Sequence, residues 1–438
     1  MNYPIYEAWR KYQEHSTAPD LFIDYGFYFM ISAALQRRVW LGRNGAELYP
    51  NIYVVLIAPP GVGKGIIVKP VTEILRSFKK RKDLGDEVNK IIQSTGADAQ
   101  SIVDAVKLQN DVRNLVLPAA ADATTYQALV KDNAQALTPY RYDKGDGKKG
   151  LYTHSSMYFS LTEMASLFQQ DQKRLLDYLL DAYDCGDHRY KIKGNVRGGE
   201  EDCVFRTCVS ILAGTNPSWI ADSTMDKIIG EGFSSRSFFV YAPAARRYTF
   251  DNIEYREDNL AAKKIVVEHV KKLTTIFGGI DYTPEAHEFL SNYMTEEYPG
   301  ELVRADKNIE PYFSRKAVHL KKMSLVLHFS ERADFEESIS LTTAQRAFNA
   351  LREIEASMPA AFAYRRRNPL SAPTQLLTKL IATSKGGLTY EAILIGMHGE
   401  VGLEELKEII EYLENSKQIK KDKEGKYHIT AAAKHKDI

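Results

Sequence analysis

The feature that most constrains this chain is an apolar strand that leads directly into a glycine-rich loop. Residues 52–57 read IYVVLI, and Pro50 and Pro59 bound this run. An unbroken run of β-branched and aromatic side chains predicts a strand that is buried on both faces of a parallel sheet. Residues 58–65 read APPGVGKG, and the apolar spacing that follows predicts a helix over residues 64–82.

A loop between a strand and a helix, in this order, can hold the phosphates of a nucleotide. Its successive backbone N–H groups point at the anion, and the helix N-terminus adds a positive dipole end. Gly61 and Gly63 let the backbone wrap closely, and Lys64 reaches the β- and γ-phosphates. The alternative is a glycine-rich turn beside a surface lysine. The predicted ATP contacts are Pro60, Gly61, Val62, Gly63, Lys64, Gly65 and Ile66.

Two positions of this loop depart from the usual phosphate-binding pattern. Ala58 stands where a glycine usually leads, which is a mild change if the position needs no positive φ angle. Gly65 stands where a serine or threonine usually ligates Mg²⁺, and glycine has no side-chain oxygen. Any Mg²⁺ that accompanies ATP would then rely on phosphates, water and other acidic groups. The loop therefore supports ATP binding more strongly than efficient hydrolysis.

Hydrolysis needs an acidic group near the metal and a base that orients water. The predicted strand at residues 157–161 ends in Thr162-Glu163. Glu163 is placed to polarise the attacking water and to contact the metal. Thr162 would contact the metal through a water molecule and without charge. The alternative is a helix-capping threonine that is followed by a glutamate in the first helical turn.

Three more polar residues stand beside predicted strands and helices. Asn216 follows the strand at 209–213 and is placed to bind the γ-phosphate or the lytic water, although Asn-Pro also starts turns. Arg236 precedes the strand at 237–241, where an arginine can neutralise transition-state charge at a neighbouring subunit's nucleotide. A solvated loop arginine is the alternative. Arg315 opens a later helix and is a candidate to contact the γ-phosphate from above.

A basic segment lies between the Thr162-Glu163 region and the strand that precedes Asn216. Residues 188–197 read HRYKIKGNVR, and the alternation of basic and apolar residues predicts a hairpin with its basic groups on one face. Such a surface can bind single-stranded DNA through the phosphates of the DNA backbone, without sequence preference. A solvated edge hairpin with protective lysines is the alternative. The predicted DNA contacts are Arg189, Lys191, Lys193 and Arg197.

Strands that alternate with helices predict an α/β fold with a parallel sheet covered on both faces. A further strand is predicted at 112–118 and a polar loop at 140–150. After about residue 258 the pattern is helical. From residue 370 the sequence reads as a winged helix, with three amphipathic helices followed by a hairpin at 419–429.

Several motifs occur in the order seen in AAA+ ATPases. They are APPGVGKG at 58–65, SLTE at 160–163, AGTN at 213–216, GFSSRSFFVY at 232–241 and the pair Ser314-Arg315. The chain resembles most closely the branch with a hairpin before sensor 1, which includes minichromosome-maintenance and superfamily-3 helicases. The runs APDLF at 18–22 and LYPNIYVVL at 48–56 are similar to phage and prophage replication ATPases. The resemblance covers roughly residues 18–360.

This resemblance implies a role for each candidate residue and a domain plan. The implied roles are Walker A lysine for Lys64, Walker B glutamate for Glu163, sensor 1 for Asn216, arginine finger for Arg236 and sensor 2 for Arg315. Gly65 and Thr162 depart from the family consensus and leave the usual metal coordination open. The predicted units are an N-terminal helical segment (1–50), an AAA+ P-loop core (51–257), a helical lid (258–364) and a winged-helix domain (370–438).

The C-terminal unit has features that favour two kinds of partner. Lysines in its hairpin suit phosphates, and helix-turn-helix relatives place one helix in the major groove of DNA. Its third helix instead carries acidic residues that would repel DNA, so a contact with other replication proteins or a regulatory role is the alternative. These acidic residues are Glu404, Glu405, Glu408, Glu411 and Glu414.

Composition excludes several other classes of protein. The 58 basic and 57 acidic residues nearly cancel, which excludes a uniformly basic nucleic-acid coat but allows a local basic surface. The three cysteines are too few and too irregularly spaced for a disulfide framework or a zinc site. The N-terminus is charged where a signal peptide is apolar, and no run approaches the ~18 apolar residues of a membrane helix. We expect a cytoplasmic protein, bacterial or of an infected host cell, without a membrane partner.

The leading hypothesis is an oligomeric AAA+ ATPase, a hexameric ring that uses ATP and Mg²⁺ and moves on single-stranded DNA as a replicative helicase. The second is an ATP-switched initiator or helicase loader that hydrolyses slowly, which Gly65 and Thr162 favour. The third is a defence or regulatory ATPase that acts on proteins, which the acidic helix of the C-terminal unit favours.

Overall fold

The structure, a computed structural model of the 438-residue chain, divides into two compact units, Met1–Phe362 and Ala363–Ile438. Among the residues it describes, no helix is both long and apolar enough to cross a membrane. The described residues are 4–42, 46–77, 117–121, 124–143, 149–168, 172–191, 201–220, 232–250, 254–363, 371–384 and 386–430.

The first unit is α/β, with a central sheet of five strands flanked by helices and two smaller two-stranded sheets among the described residues. Its strands are β1 (Val39–Leu41), β2 (Tyr53–Ile57), β3 (Leu137–Asp143), β4 (Lys149–Leu161), β5 (His188–Lys191), β6 (Glu201–Val204), β7 (Cys208–Thr215), β8 (Ser237–Tyr241) and β9 (Gly278–Ile280). Its α-helices are α1 (Ile5–Tyr12), α2 (Asp20–Leu35), α3 (Lys64–Arg76), α4 (Tyr126–Gln135), α5 (Gln172–Tyr183), α6 (Pro217–Ile220), α7 (Glu257–Leu273), α8 (Pro284–Asn292), α9 (Tyr298–Arg304), α10 (Glu310–Phe313), α11 (Lys316–Glu331) and α12 (Leu341–Phe362).

The central sheet is mixed, with the strand order β3-β4-β7-β2-β8. Strands β4, β7, β2 and β8 are parallel to one another, as predicted, whereas β3 runs antiparallel to β4 at one edge. The prediction of a wholly parallel sheet is therefore wrong at that edge.

The predicted polar loop at 140–150 is wrong at both of its ends, because strands β3 and β4 pair from Leu137↔Ser155 to Asp143↔Lys149, and residues 144–148 lie outside the described residues. The physical reason is aromatic packing. The rings of Tyr140 and Tyr142 stack on Phe277, with centroid distances of 5.1 and 4.4 Å. The charges and glycines of this segment conceal that packed face in the sequence.

Helix α2 lies in the core of the first unit and is buried on nearly all sides. Such a helix must satisfy its polar side chains internally. The Ser32 hydroxyl is 2.9 Å from that of Ser210 on β7 and accepts the backbone N–H of Ile52 at 3.2 Å. The Tyr25 hydroxyl donates to the Ala350 carbonyl at 2.9 Å. Residues 20–35 therefore brace the central sheet.

The predicted strands and helices around the loop are confirmed, with shifted ends. Strand β2 follows the predicted run, and helix α3 begins at Lys64. Thr125 caps helix α4 by accepting the backbone N–H of Ala128. The predicted strand at 112–118 lies almost entirely outside the described residues.

The parallel register brings the carboxyl ends of four strands to the same side of the sheet. Ile57, the last residue of β2, is opposite Thr215 of β7 and Tyr241 of β8. Leu161, the last residue of β4, is opposite Ala213. The loop after β2 and the residues that follow β4 and β7 are therefore neighbours. In open α/β sheets, ligands bind outside such carboxyl ends.

The second unit has three helices and a two-stranded hairpin among its described residues, as the apolar spacing predicts. Thr389 caps the second helix by accepting the backbone N–H of Ala392, and Gly425 adopts a φ of 83° between the two strands. These elements are α13 (Ser371–Thr383), α14 (Tyr390–Gly396), α15 (Leu403–Asn415), β10 (Ile419–Lys421) and β11 (Tyr427–Ile429).

Candidate nucleotide-binding site

The glycine-rich loop adopts a backbone that requires glycine at two positions. Gly61 and Gly63 have φ angles of 80° and 100°, in the left-handed region that other residues rarely adopt. A Cβ atom on Gly63 would also lie 3.2 Å from the Cα of Ala18. Gly63 is the N-cap of α3, so the first N–H groups of that helix open onto the loop.

Lys64 is the first residue of α3 and its side chain folds back over the loop. It is only 9% exposed. Its Nζ donates to the Ala58 carbonyl at 2.6 Å and to Oδ1 of Asn216 at 2.7 Å. The structure therefore brings together two residues that the sequence separates by 152 positions and that we predicted for one site.

The charge of Lys64 has only neutral acceptors at hydrogen-bonding distance. Among the described residues, no carboxylate lies within 4.0 Å of its Nζ. Burial lowers the pKa of Lys64, and the nearby Glu163 carboxylate opposes that shift. A buried cation without a paired anion is costly, so a bound phosphate would stabilise this arrangement.

Glu163 lies directly after Thr162 at the end of β4 and is partly buried. Burial raises the pKa of Glu163, and the Lys64 ammonium opposes this shift. The Glu163 carbonyl accepts the Ser166 hydroxyl at 2.8 Å, which fixes the turn that follows the strand. The structure thus places Glu163 close enough to Lys64 for their charges to interact.

Gly214 was not among the predicted site residues, yet it sets the spacing of this site. A Cβ atom here would lie 2.5 Å from the Thr162 carbonyl oxygen and 3.3 Å from the Cβ of Lys64. Only glycine therefore lets β7 pass this close to the end of β4 and to α3. The glycine in the strand end AGTN was the available signal, since a glycine inside a strand often marks a close approach.

Gly65 and Thr162, the two departures from the usual metal ligands, lie opposite each other. A Cβ atom on Gly65 would be 3.9 Å from Cγ2 of Thr162. The glycine supplies no side-chain ligand and the exposed threonine supplies only a neutral hydroxyl, so this pair lacks the carboxylate that Mg²⁺ usually takes from a protein. Among the described residues, no group of three or more His, Cys, Asp or Glu side chains could hold a metal ion.

A cavity of about 820 Å³ opens beside these residues. Helix α3 contributes Lys69, Thr72 and Arg76 to its wall, and the end of β4 contributes Thr162 and Glu163. The volume is within the range of ordinary ligand pockets, about 300–1,000 Å³. The site therefore has open space on the side where Glu163 can meet a water molecule.

The two predicted arginines, Arg236 and Arg315, meet on one carboxylate. Nη2 of Arg236 lies 2.7 Å from Oδ2 of Asp184, and Nη1 of Arg315 lies 3.1 Å from Oδ1. Burial alone would raise the pKa of Asp184, but the two guanidinium groups outweigh it and hold that pKa below its usual range. Two positive charges on one negative charge leave a net positive patch.

This patch lies at the amino ends of the parallel strands, whereas the loop lies at their carboxyl ends. Arg236 immediately precedes Ser237, which is opposite Tyr53, the first residue of β2. The loop follows Ile57, the last residue of that strand. Four residues of a strand span about 13 Å. Arg236 and Arg315 therefore stand together but apart from Lys64, Glu163 and Asn216.

The predicted DNA-contacting hairpin is described in part. Strands β5 and β6 pair antiparallel, with Arg189 opposite Cys203 and Lys191 opposite Glu201. An antiparallel pair that begins at residue 188 is therefore confirmed, but its second strand lies at 201–204, beyond the predicted range of 188–197. Arg189 and Lys191 lie on its first strand. Lys193 and Arg197 lie outside the described residues.

The chain matches no protein-family model, and no curated protein matches it in sequence.

Proposed function

We propose that this protein is an AAA+-type P-loop ATPase that binds ATP at residues 58–66. The observation that carries this proposal is the position of Lys64. Its buried ammonium joins the loop carbonyl of Ala58 to Asn216, and among the described residues its hydrogen-bond partners are all neutral oxygens. The glycine conformations and the N-terminal end of α3, which begins directly after Gly63, favour the same anion. Glu163 is the candidate base for the attacking water.

We further propose that the chain works as a ring, with Arg236 serving the nucleotide of a neighbouring copy. The support is geometric. Arg236 and Arg315 stand about 13 Å of strand away from the loop of their own chain. Their side chains are held there by Asp184, which both arginines contact. A hexamer is the assembly that the family resemblance favours.

The activity that we propose for this ring is movement on single-stranded DNA, as a replicative helicase or translocase. Support comes from the basic hairpin that begins with β5, where Arg189 and Lys191 lie. The test is the steady-state ATPase rate with and without single-stranded DNA. We expect stimulation in the wild type and its loss in Lys191→Ala/Lys193→Ala. Equal stimulation in both proteins would contradict the assignment of the DNA contacts to this hairpin.

An ATP-switched initiator or helicase loader is the second candidate, and one observation favours it. Gly65 and Thr162 face each other and offer Mg²⁺ no carboxylate, which suits binding better than rapid hydrolysis. Slow, DNA-independent turnover together with ATP-dependent DNA association would support this function. Directional, ATP-dependent strand separation would exclude it. The winged-helix assignment of the second unit belongs to both proposals, as a contact with DNA or with other replication proteins.

A further inference from the structure

The register between α3 and β4 is fixed by two contacts. The hydroxyl groups of Thr72 and Ser160 lie 2.6 Å apart. Two helical turns earlier, a Cβ atom on Gly65 would be 3.9 Å from Thr162. Residues seven apart share one face of a helix, and residues two apart share one face of a strand. Positions 65 and 162 are therefore held opposite each other by the packing of these elements.

Among the described residues, nothing in the packing requires glycine at position 65. The residue lies in the first turn of α3 without the left-handed φ of Gly61 and Gly63, and a Cβ atom would make only an ordinary contact. A serine would therefore fit there. Gly214 is different, because a Cβ atom would overlap the Thr162 carbonyl. The missing hydroxyl at position 65 is thus a chemical feature of the site and has no steric cause.

Among the described residues, the nearby acidic groups replace the missing ligands only in part. Glu163 supplies one carboxylate. Glu73, which lines the same cavity, is engaged by Lys263 at 2.5 Å. Mg²⁺ is usually bound through one or two protein carboxylates together with nucleotide phosphates and several waters. The charge of ATP can instead be balanced by Lys64 and by the N–H groups at the start of α3.

We propose that positions 65 and 162 form a single junction that gives the nucleotide's metal no charged protein ligand, so that ATP binding depends little on Mg²⁺. This inference rests on the proposed ATP site. It also identifies the two substitutions that would create a conventional site. Gly65→Ser supplies a hydroxyl and Thr162→Asp a carboxylate, on facing positions of α3 and β4.

The test is equilibrium binding of a fluorescent, non-hydrolysable ATP analogue to the full chain, in excess Mg²⁺ and in excess EDTA. For the wild type we expect the two dissociation constants to agree within about threefold. For Gly65→Ser/Thr162→Asp we expect Mg²⁺ to tighten binding by about tenfold or more. A wild type that loses about tenfold or more affinity in EDTA would overturn the inference, whether or not the variant folds.

Two controls separate this inference from the proposed function. Gly65→Ala/Thr162→Asn makes similar changes in volume without a metal-binding pair, so its binding should remain insensitive to Mg²⁺. Equal Mg²⁺ sensitivity in this control and in Gly65→Ser/Thr162→Asp would also contradict the inference. Lys64→Ala should lose binding in both buffers. If it binds as tightly as the wild type, the proposed ATP site itself is wrong.

Discussion

At the residue scale, Gly214 makes the closest approach in the site. A methyl group at this position would meet the Thr162 carbonyl at 2.5 Å, and this neighbour is backbone that has little room to shift. We expect Gly214→Ala to lower the free energy of unfolding by about 1–3 kcal/mol, as overpacking in a tight core does. Denaturant unfolding measures this change.

Gly65→Ala is the matched control for that prediction. Its new methyl group would lie 3.9 Å from Thr162, an ordinary contact, and position 65 is already helical. We expect it to change the free energy of unfolding by no more than about 0.5 kcal/mol. Equal destabilisation by the two alanines would contradict the close approach at Gly214.

Glu163 gives the site a pH dependence with a defined sign. Because burial raises the pKa of Glu163, it takes up its proton at a higher pH than an exposed glutamate does. A base that orients water acts only when it is ionised. We therefore expect kcat for ATP hydrolysis to fall on acidification before exposed carboxylates titrate. A pH profile of kcat measures this effect.

Glu163→Gln is the companion variant, since it removes the base and keeps the shape of the side chain. We expect hydrolysis to fall by about 10²–10⁴-fold while the ATP analogue still binds. Hydrolysis at the wild-type rate, or an unchanged acidic limb in the pH profile, would show that another group acts as the base.

At the element scale, the turn after helix α5 holds the two arginines together through Asp184. Ion pairs that are this exposed stabilise a fold by only about 0–1 kcal/mol. We therefore expect Asp184→Asn to leave the unfolding free energy nearly unchanged but to lower the ATPase rate of the assembled protein at least about tenfold, because Arg236 and Arg315 lose their common anchor. Unfolding curves and ATPase rates measure the two effects.

Asp177→Asn is the matched control, because Asp177 is an exposed aspartate on the same helix. It should change neither quantity. If Asp184→Asn lowers stability and activity in parallel, Asp184 has a structural role and does not position the arginines.

Local sequence patterns predicted most of the helices and strands. They failed where tertiary contacts determine the secondary structure. The run before the loop, the caps at Thr125 and Thr389 and the helical spacing after residue 258 are visible in the sequence. Strand β3 depends instead on aromatic packing against Phe277, which no local pattern reveals.

The candidate site shows the same division. Lys64, Glu163 and Asn216 follow strands whose parallel order could be predicted, so their shared edge could be predicted as well. The contact of Asp184 with the two arginines could not be predicted, because Asp184 is 52 residues from Arg236 and 131 from Arg315. It stands in the turn after a helix, where the sequence carries no motif.

At the scale of the whole molecule, the ring proposal requires two copies to complete one active site. Lys64→Ala should inactivate a subunit's own loop, and Arg236→Ala should inactivate the neighbouring one. Loss of an arginine that acts in trans lowers hydrolysis by about 10³–10⁵-fold. We expect a mixture of these two inactive variants to regain ATPase activity, because some interfaces then pair an intact loop with an intact arginine.

The control is a mixture of Lys64→Ala with the double variant Lys64→Ala/Arg236→Ala. This mixture contains no intact loop and should stay inactive. No recovery in the first mixture, under conditions in which the subunits exchange, would show that Arg236 serves its own chain or has no role in hydrolysis.

The central claim is that residues 58–66 hold the phosphates of ATP through Lys64. The most direct test is the steady-state ATPase rate of the full chain beside that of Lys64→Ala, at matched concentration and with unfolding curves to show that both are folded. The account predicts hydrolysis by the wild type and none above background by the variant. A folded Lys64→Ala protein that hydrolyses ATP at the wild-type rate would contradict it.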